Sequence, residues 1–341
     1  MAGMKSERWR VVVLDDYEGL ATTAPNFKNL AARAEVTVLR ERLATDEELG
    51  RALEGAHAIL LVRERTRFGE KQLALAPNLK FISQTGKTTA HLDLAVITRR
   101  GIPVAFTPTD TGTSTVELTF ALIFAVLRQI PLIDRKMREE RWPAIAGRLL
   151  EGKTLGIVGL GRIGTRVAEI ARAFGTRTLA VGRTLTDERA RAAGAARVPL
   201  DALLKESDIV TIHVPLRPET RGFIAEKEIS LMKREAILIN TSRGPIVSEP
   251  ALVKALEQGH IAGAGLDVYD QEPLAMDHPF RRLNNAVLLP HRGYATVEIL
   301  RERYEMALAN ILSFLDGEPI NLLNPEVFHN PRTPPVQGLK S

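Results

Sequence analysis

The residues Leu155-Gly156-Ile157-Val158-Gly159-Leu160-Gly161-Arg162-Ile163-Gly164 decide the fold of this chain. An apolar run typical of a buried strand leads into three glycines with the spacing G-x-G-x-x-G, and the helical pattern Ile163–Phe174 follows. The first glycine allows a tight turn, the second lets a pyrophosphate approach the backbone, and the third lets helix and strand pack closely. Exposed amides and the positive end of the helix dipole favour phosphate binding. The stretch therefore predicts a dinucleotide site with contacts at Gly159, Gly161, Arg162, Ile163 and Gly164.

The strand after this loop departs from the usual NAD pattern. An NAD site ends that strand with a carboxylate about 20 residues after the glycines, which binds the ribose hydroxyls. Here the position is Gly182, followed by Arg183 and Thr184. A guanidinium is suited to bidentate pairing with a 2′-phosphate. We therefore predict NADP in preference to NAD, with contacts at Arg183 and Thr184; the alternative is that Arg183 points to solvent.

Short apolar runs alternate with helical patterns along most of the chain. Buried strands separated by helices indicate parallel sheets covered on both faces. The predicted fold class is α/β, with two doubly wound parallel-sheet domains, a flavodoxin-like one and a Rossmann one. The predicted strands are Arg10–Asp15, Val36–Leu39, Ala58–Leu61, Lys80–Ser83 and Pro103–Phe106, then Leu155–Val158, Thr178–Val181, Ile209–His213, Ala236–Asn240, Ala262–Leu266 and Ala286–Leu289.

Three helical patterns organise the domains. Thr45 followed by Glu48 predicts a capping box at the start of a helix. The segment Ser114–Arg141 has helical apolar spacing and is predicted as one long connecting helix. The pattern Val297–Leu315, closed by Gly317, needs a surface to bury against, so we expect the chain to cross back to the first domain. The predicted domains are residues 1–108 plus 296–341, and residues 109–295.

Composition excludes several classes of function. The chain has no cysteine, which rules out disulfide scaffolds and thiolate metal sites, and no metal site is predicted. The net charge of +5 comes from 46 basic and 41 acidic residues that are interleaved along the chain, which argues against a nucleic-acid partner. No apolar run has the length of a membrane span and no signal peptide is evident. We expect a cytoplasmic protein without membrane contact.

Polar segments follow three of the predicted strands. They are Asn240-Thr241-Ser242-Arg243-Gly244, Gly265-Leu266-Asp267-Val268-Tyr269-Asp270-Gln271-Glu272-Pro273 and Leu289-Pro290-His291-Arg292-Gly293-Tyr294. An open parallel sheet binds its ligands at the carboxyl ends of its strands. Together with the glycine loop, these segments resemble the D-isomer-specific 2-hydroxyacid dehydrogenases, which include D-lactate, phosphoglycerate and glyoxylate/hydroxypyruvate dehydrogenases. The resemblance also covers His213-Val214-Pro215-Leu216, Glu219-Thr220-Arg221-Gly222 and Gly317-Glu318-Pro319.

The resemblance implies an oxidoreductase that transfers a hydride between NAD(P)(H) and a small, D-specific 2-hydroxy or 2-keto acid. Arg243 matches the arginine that binds the carboxylate and the adjoining keto oxygen, and His291 matches the general acid/base. Glu272 matches the carboxylate that orients His291 and favours its protonated form. The implied cofactor contacts, beyond the glycine loop and Arg183-Thr184, are His213, Val214, Pro215, Thr220, Thr241 and Asp267; the last matches the position that holds the nicotinamide carboxamide.

The first domain is implied to bind the substrate carboxylate through the amides of Thr85-Gly86-Lys87, in a cleft that closes on cofactor and substrate. This loop departs from the family, because many members read Gly-x-Gly-x-Asp-Asn where this chain reads Gly86-Lys87-Thr88-Thr89-Ala90-His91. Arg292 likewise stands where an apolar residue is usual. Lys87 and Arg292 either favour an extra anionic group on the substrate or are solvated side chains beside the cleft.

The sequence also predicts an oligomeric state and leaves two alternative functions open. The connecting segment leaves apolar surface that a partner subunit could cover, so a two-fold homodimer is predicted. A few relatives of the family are dinucleotide-sensing corepressors, which is the alternative outside enzymes. Formate or phosphonate oxidation is the alternative within them.

Overall fold

The computed structural model describes residues 8–108, 112–139 and 141–328. Two predicted boundaries lie next to residues that are not described: the domain boundary at residues 108–109 and the end of the connecting helix at Arg141. The tail after Phe328 lies outside the described residues. The strands are β1 (Trp9–Leu14), β2 (Ala34–Val38), β3 (Ala58–Leu61), β4 (Phe81–Gln84), β5 (Val104–Phe106), β6 (Thr154–Val158), β7 (Arg177–Val181), β8 (Ala196–Arg197), β9 (Ile209–Ile212), β10 (Ile237–Asn240), β11 (Gly263–Leu266) and β12 (Ala286–Leu288).

The α-helices alternate with these strands. They are α1 (Pro25–Arg33), α2 (Asp46–Leu53), α3 (Glu70–Ala74), α4 (Leu94–Arg99), α5 (Thr113–Leu127), α6 (Ile130–Arg138), α7 (Arg162–Ala173), α8 (Asp187–Ala192), α9 (Leu200–Glu206), α10 (Glu226–Ser230), α11 (Glu249–Glu257) and α12 (Val297–Leu315). Short 3-10 helices span Ala21–Thr23, Pro218–Thr220, Gly244–Ile246, Pro279–Arg282 and Pro325–Phe328.

The chain folds into two compact units. Unit 1 comprises Met1–Asp110 and Thr296–Ser341, and unit 2 comprises Thr111–Ala295. In the described part of unit 1, the parallel strands run in the order β2-β1-β3-β4-β5. Helix α12 has the predicted bounds and buries Tyr304, Leu308 and Ile311 against the same core as β1 and β3. Ser83 in β4 donates its hydroxyl to the Ala307 carbonyl at 2.9 Å.

Unit 2 contains the second parallel sheet, in the order β12-β11-β10-β9-β6-β7-β8. Strands β6, β9, β10 and β11 are buried along their whole length, as expected of strands with helices on both faces. Chain order reverses direction between β6 and β9, which is the position where open sheets of this kind bind ligands. The α/β fold class with two parallel sheets is confirmed.

Most predicted elements lie within two residues of the observed ones. The capping box is confirmed: Thr45 accepts from the Glu48 amide, and the Glu48 carboxylate accepts from the Thr45 amide. The two-residue strand β8 was not predicted, because Ala196–Arg197 is exposed and has no apolar pattern.

The prediction of one long helix over Ser114–Arg141 is wrong. The segment forms α5 and α6, which meet at a bend of 62°. Gln129 at the break has a φ of +51°, and Pro131 lies at the start of α6. Proline has no amide hydrogen and its ring clashes with the carbonyl four residues earlier, so a continuous helix through this point is disfavoured.

The described residues contain no single helix with the length and apolar composition of a membrane span. Helices α5 and α6 meet those criteria only as a bent pair. Seven residues of α5, among them Phe120, Leu122 and Ile123, are buried in unit 2.

Candidate active site

The glycine loop joins β6 to α7, and each of its glycines meets a different requirement. Gly159 has a φ of +103°, and a Cβ there would lie 2.8 Å from the His213 carbonyl carbon. A Cβ on Gly164 would collide with the carbonyl oxygen of Gly159, so the absence of a side chain here lets α7 pack closely against the end of β6. A Cβ on Gly161 would meet no described atom within 4 Å. The first and third glycines are thus required by the fold, whereas the second leaves open space above the start of α7, as a bound pyrophosphate needs.

The end of β7 carries no carboxylate. Gly182 follows Val181, and the side chains of Arg183 and Thr184 are exposed. A second guanidinium lies nearby, because Arg189 in α8 donates to the Thr184 carbonyl at 3.1 Å and to the Leu160 carbonyl at 3.5 Å. Arg189 thus connects the β7 end to the glycine loop. Sequence reasoning missed Arg189, since nothing in its position along the chain shows that it contacts Leu160.

The chain after β9 carries four of the predicted cofactor residues, His213, Val214, Pro215 and Thr220. The His213 amide donates to the Val158 carbonyl at 2.8 Å, and the Val214 side chain lies against Gly159. Desolvation lowers the pKa of His213 to about 4, so its ring, 2.9 Å from the Thr211 hydroxyl, is uncharged at neutral pH. The Thr220 hydroxyl donates to the Pro215 carbonyl at 2.7 Å.

The β10 end is tied to this region by hydrogen bonds. Ser242 donates its hydroxyl to the Val214 carbonyl at 2.5 Å. Thr241 is buried, and its hydroxyl lies 3.2 Å from that of Thr119 in α5. The predicted residues His213, Val214, Pro215, Thr220 and Thr241 therefore lie at the carboxyl ends of adjacent strands beside the glycine loop.

Glu272 and His291 form a close pair. The Nδ1 of His291 lies 2.7 Å from one carboxylate oxygen of Glu272, and the other oxygen accepts from the Tyr269 amide at 3.0 Å. Burial of Glu272 raises its pKa, but the hydrogen bond and the charge of His291 outweigh burial, so the pKa lies below the usual 4.5. Nε2 of His291 makes no hydrogen bond to any described residue, so it is the ring atom available to a ligand.

The loop that carries His291 is positioned by Asp267. Its two carboxylate oxygens accept from the backbone amides of Arg292 at 2.6 Å and Gly293 at 2.7 Å. Asp267 is 1% exposed, and burial raises its pKa in spite of these bonds. His291 itself has a φ of +55°, an uncommon conformation for a side chain other than glycine. Asp267 therefore stabilises a strained backbone at His291.

Arg243 lies at the end of β10 with an exposed side chain. Its guanidinium donates to the Ser242 carbonyl at 2.7 Å, and its backbone carbonyl accepts from the Asn240 side chain at 3.0 Å. The charge of Arg243 contributes to lowering the pKa of Glu272, which shows that the two groups are within electrostatic range. Arg243, Glu272 and His291 thus follow β10, β11 and β12, which are neighbours in the sheet.

In unit 1, the predicted loop Thr85-Gly86-Lys87 follows β4. The Thr85 amide donates to the Leu61 carbonyl at 2.9 Å, and the Gly86 amide donates to the Thr107 hydroxyl at 2.7 Å. Within the described residues, the Lys87 amide has no hydrogen-bond partner. Of the three predicted amides, only that of Lys87 is thus available to a ligand. The Lys87 ammonium lies 5.1 Å from the ring centre of Phe106.

Comparison with known proteins shows which family this chain resembles. Residues 120–293 match the family model described as D-isomer specific 2-hydroxyacid dehydrogenase, NAD binding domain. The chain is 43% identical to a glyoxylate reductase of Korarchaeum cryptofilum over 259 residues, which cover 74% of this chain and 78% of the relative. It is 44% identical to a glyoxylate reductase of Aeropyrum pernix over 265 residues, 75% of this chain and 79% of the relative.

A solved structure shows the same fold. The phosphoglycerate oxidoreductase of Vibrio cholerae superposes with a TM-score of 0.81 at 30% identity, over 90% of this chain and 98% of that one. The matched model describes an NAD-binding domain, so the cofactor is a nicotinamide dinucleotide and the chain is an oxidoreductase. The chain belongs to the D-isomer-specific 2-hydroxyacid dehydrogenase family.

Proposed function

We propose that the chain interconverts small 2-keto acids and D-2-hydroxy acids, with Arg243, Glu272 and His291 as the catalytic group. One observation carries the proposal. Nδ1 of His291 is held 2.7 Å from the Glu272 carboxylate, and the opposite ring nitrogen makes no hydrogen bond to the described residues. An imidazole fixed in this way is suited to passing a proton to and from a substrate oxygen.

Each residue has a distinct role in the proposal. His291 donates a proton from Nε2 to the keto oxygen as the hydroxy acid forms, and accepts it in the reverse direction. Glu272 holds the ring in position and stabilises its positive charge. The planar guanidinium of Arg243 binds the substrate carboxylate and the keto oxygen. The bound nicotinamide supplies or accepts the hydride.

We further propose that the cofactor is NADP in preference to NAD. The glycine loop fits a dinucleotide, since Gly161 has open space where its Cβ would be. The end of β7 carries Gly182 and the exposed Arg183 and Thr184 in place of a carboxylate that would repel a 2′-phosphate. Arg189 adds a second positive charge beside Thr184. NAD turnover as efficient as NADP turnover would contradict this preference.

The remaining predicted residues are proposed as cofactor contacts of unit 2. His213, Val214, Pro215, Thr220 and Thr241 adjoin the glycine loop at the ends of β9 and β10. Asp267 is proposed to hold the nicotinamide carboxamide while it fixes the Arg292 and Gly293 amides. Residues 109–295 would then be the nucleotide domain, and residues 1–108 plus 296–341 the substrate domain.

The experiment that tests the function measures reduced nicotinamide consumption with a set of acids. Glyoxylate is the first substrate to use, because relatives more than 40% identical are glyoxylate reductases. Hydroxypyruvate, pyruvate and larger 2-keto acids follow, each with NADPH and with NADH. Turnover of at least one 2-keto acid supports the proposal; absence of turnover with all of them contradicts it. Formate and a phosphonate, tested in the oxidative direction, examine the alternative dehydrogenase activities.

We also propose that the protein is a homodimer formed through the region of α6 and the segment that follows it. Four large apolar side chains in this region are exposed: Ile130 by 52%, Met137 by 44%, Trp142 by 89% and Leu149 by 68%. Apolar side chains concentrated in one exposed segment are typical of a protein interface. Sedimentation of wild type and Trp142→Glu tests this, with a dimer expected for the wild type and monomer for the variant. A monomeric wild type would contradict it.

A further inference from the structure

Helix α5 packs closely on the sheet of unit 2 because β11 carries two glycines under it. A Cβ on Gly265 would lie 3.0 Å from the Leu122 Cβ, and a Cβ on Gly263 would lie 2.9 Å from the Val126 side chain. Four helical residues rise about 6 Å and two strand residues about 6.6 Å, so these contacts are in step. The helix therefore runs antiparallel to β11, and its first turns lie beyond the carboxyl ends of the strands.

The first turns of α5 carry two threonines one helical turn apart. Thr119 is fully buried and Thr115 is partly buried. The Thr119 hydroxyl donates to the Thr115 carbonyl at 2.8 Å and lies 3.2 Å from the hydroxyl of Thr241. Because a hydroxyl has only one hydrogen, Thr241 is the donor of the second bond. Helix α5 is thus joined to the residue that directly follows β10.

Thr115 contacts the loop that carries His291. Its hydroxyl donates to the Gly293 carbonyl at 3.0 Å, and a Cβ on Gly293 would lie 3.5 Å from that hydroxyl. The amide of Gly293 donates to the Asp267 carboxylate at 2.7 Å. Gly293 is therefore held on both sides, its amide by Asp267 and its carbonyl by Thr115.

This double contact is needed because the neighbouring backbone is strained. His291 has a φ of +55°, and a conformation of this kind persists only where the surrounding structure stabilises it. Asp267 holds the Arg292 amide at 2.6 Å, and the Gly293 bonds hold the next peptide. The place of the His291 ring, with Nδ1 2.7 Å from Glu272, depends on these bonds.

The start of α5 also lies against the glycine loop. A Cβ on Gly112, at the beginning of the helix, would lie 2.8 Å from the Ile163 side chain. Ile163 belongs to the first turn of α7. The same helix thus contacts the loop proposed to bind the cofactor and the loop proposed to hold the acid/base.

We propose that Thr115 and Thr119 are positioning residues of the active site, through which α5 holds the His291 loop and the end of β10 in place beside the glycine loop. They act through the Gly293 backbone and the Thr241 side chain, so they are not catalytic residues. Valine has the same shape and would fill the same space without burying a hydroxyl, so packing alone does not account for either threonine. The inference rests on the proposed function, because it concerns the position of the proposed acid/base.

Thr115→Val tests the proposal because it removes the hydroxyl and keeps the shape of the side chain. We expect kcat for 2-keto acid reduction to fall by ~5- to 50-fold, since a small displacement of the His291 ring slows proton transfer. The KM for the 2-keto acid should change less than kcat, because Arg243 follows β10 rather than β12. Thr115→Ser keeps the hydroxyl and should restore most of the rate.

Thr119→Val tests the second threonine. It removes the acceptor of the Thr241 hydroxyl and the bond to the Thr115 carbonyl. A buried hydroxyl left without a partner is unfavourable, so the end of β10 should shift and kcat should fall by ~3-fold or more. Wild-type kcat in this variant would overturn the assignment of Thr119.

The pKa of Glu272 provides a second measurement that needs no turnover. Burial raises this pKa, whereas the hydrogen bond with His291 and the charge of His291 lower it, to below the usual 4.5. If Thr115→Val displaces the His291 loop, burial is less opposed and the pKa of Glu272 rises. Titration of the carboxylate by carbon-13 NMR measures the change. A threonine that only stabilises the fold would leave this pKa at its wild-type value.

Thr176→Val is the matched control. The Thr176 hydroxyl also donates to a backbone carbonyl, that of Ala171 at 2.9 Å, near the end of α7 that is remote from the glycine loop. This variant should keep the wild-type kcat and the wild-type pKa of Glu272. An equal fall of kcat in Thr176→Val and Thr115→Val would overturn the proposal, as would a fall in Thr115→Val without a change in the pKa of Glu272.

The two measurements distinguish failure of this proposal from failure of the proposed function. If the wild type reduces no 2-keto acid, a raised pKa of Glu272 in Thr115→Val still supports the positioning role, and an unchanged pKa refutes it. If the wild type is active and Thr115→Val keeps both its kcat and the pKa of Glu272, the positioning role is refuted and the catalytic proposal stands. A raised pKa with wild-type kcat supports the positioning role and contradicts His291 as the acid/base.

Discussion

Replacing Glu272 by Gln tests how the carboxylate acts on His291. The substitution keeps the size of the side chain and an acceptor for the Tyr269 amide, but it removes the negative charge 2.7 Å from His291 Nδ1. A hydrogen bond to a charged group contributes about 1.5–3 kcal/mol. Glu272 is 35% exposed, so solvent screening places the effect near the lower end. We expect a loss of roughly 10- to 30-fold in kcat, since 1.36 kcal/mol is tenfold.

The assay is the steady-state rate over about pH 5 to 9, together with the cofactor KM, which should not change.

Because the pKa of Glu272 in the folded protein lies below 4.5, the wild type gains stability from this group above pH 4.5. That gain over the Gln variant disappears as the pH falls through the lowered pKa. Urea denaturation at a series of pH values measures it.

The control variant is Glu249→Gln. Glu249 makes a similar pair with His278, at 2.8 Å and with side chains 16% and 18% exposed. We expect this variant to change kcat by less than about threefold, because a hydrogen bond away from the reacting atoms does not stabilise the transition state. Equal loss of kcat in the two variants, or near-normal kcat in Glu272→Gln, would refute the assigned role of Glu272.

Three further predictions concern unit 2. Gly164→Ala should lower the free energy of unfolding by roughly 1–3 kcal/mol, because its Cβ would meet the Gly159 carbonyl oxygen. Gly161→Ala should keep wild-type stability and weaken cofactor binding, since its Cβ would meet open space. Denaturation that shows Gly161→Ala to be the less stable variant, or a titration in which it binds cofactor as tightly as wild type, would contradict this. Arg183→Ser should lower kcat/KM for NADPH by roughly tenfold or more and leave that for NADH nearly unchanged, and equal effects on both would count against phosphate recognition. His213→Asn should become more stable relative to wild type as the pH falls from 6.5 to about 4, because the desolvated ring in the folded protein resists the protonation that the unfolded chain accepts; parallel stability curves would contradict it.

Much of the fold was predictable because local pattern and tertiary packing agree. The strand Ala58–Leu61 was predicted with its observed bounds, since four apolar residues between polar segments match a strand buried on both faces. The break before α6 was missed because the apolar spacing continues through it, although Pro131 indicates a helix break at this point.

The candidate site was predictable where its residues belong to ordered motifs. Arg243, Glu272 and His291 come after β10, β11 and β12, which are neighbours in the sheet. A correct prediction of these strands therefore predicts that the three residues lie at the same edge of the sheet. Arg189 carries no such signal. Its position depends on contacts with Thr184 and Leu160. Such contacts arise from the folded backbone, and residue spacing does not encode them.

The most direct test of the catalytic proposal is the rate of 2-keto acid reduction by His291→Ala, measured beside its cofactor affinity. If Nε2 of His291 supplies the proton, kcat falls by about 10²- to 10⁴-fold while the dissociation constant of the reduced cofactor stays at the wild-type value. A variant that reduces the same acid at near wild-type rate would contradict the assignment of His291 as the acid/base.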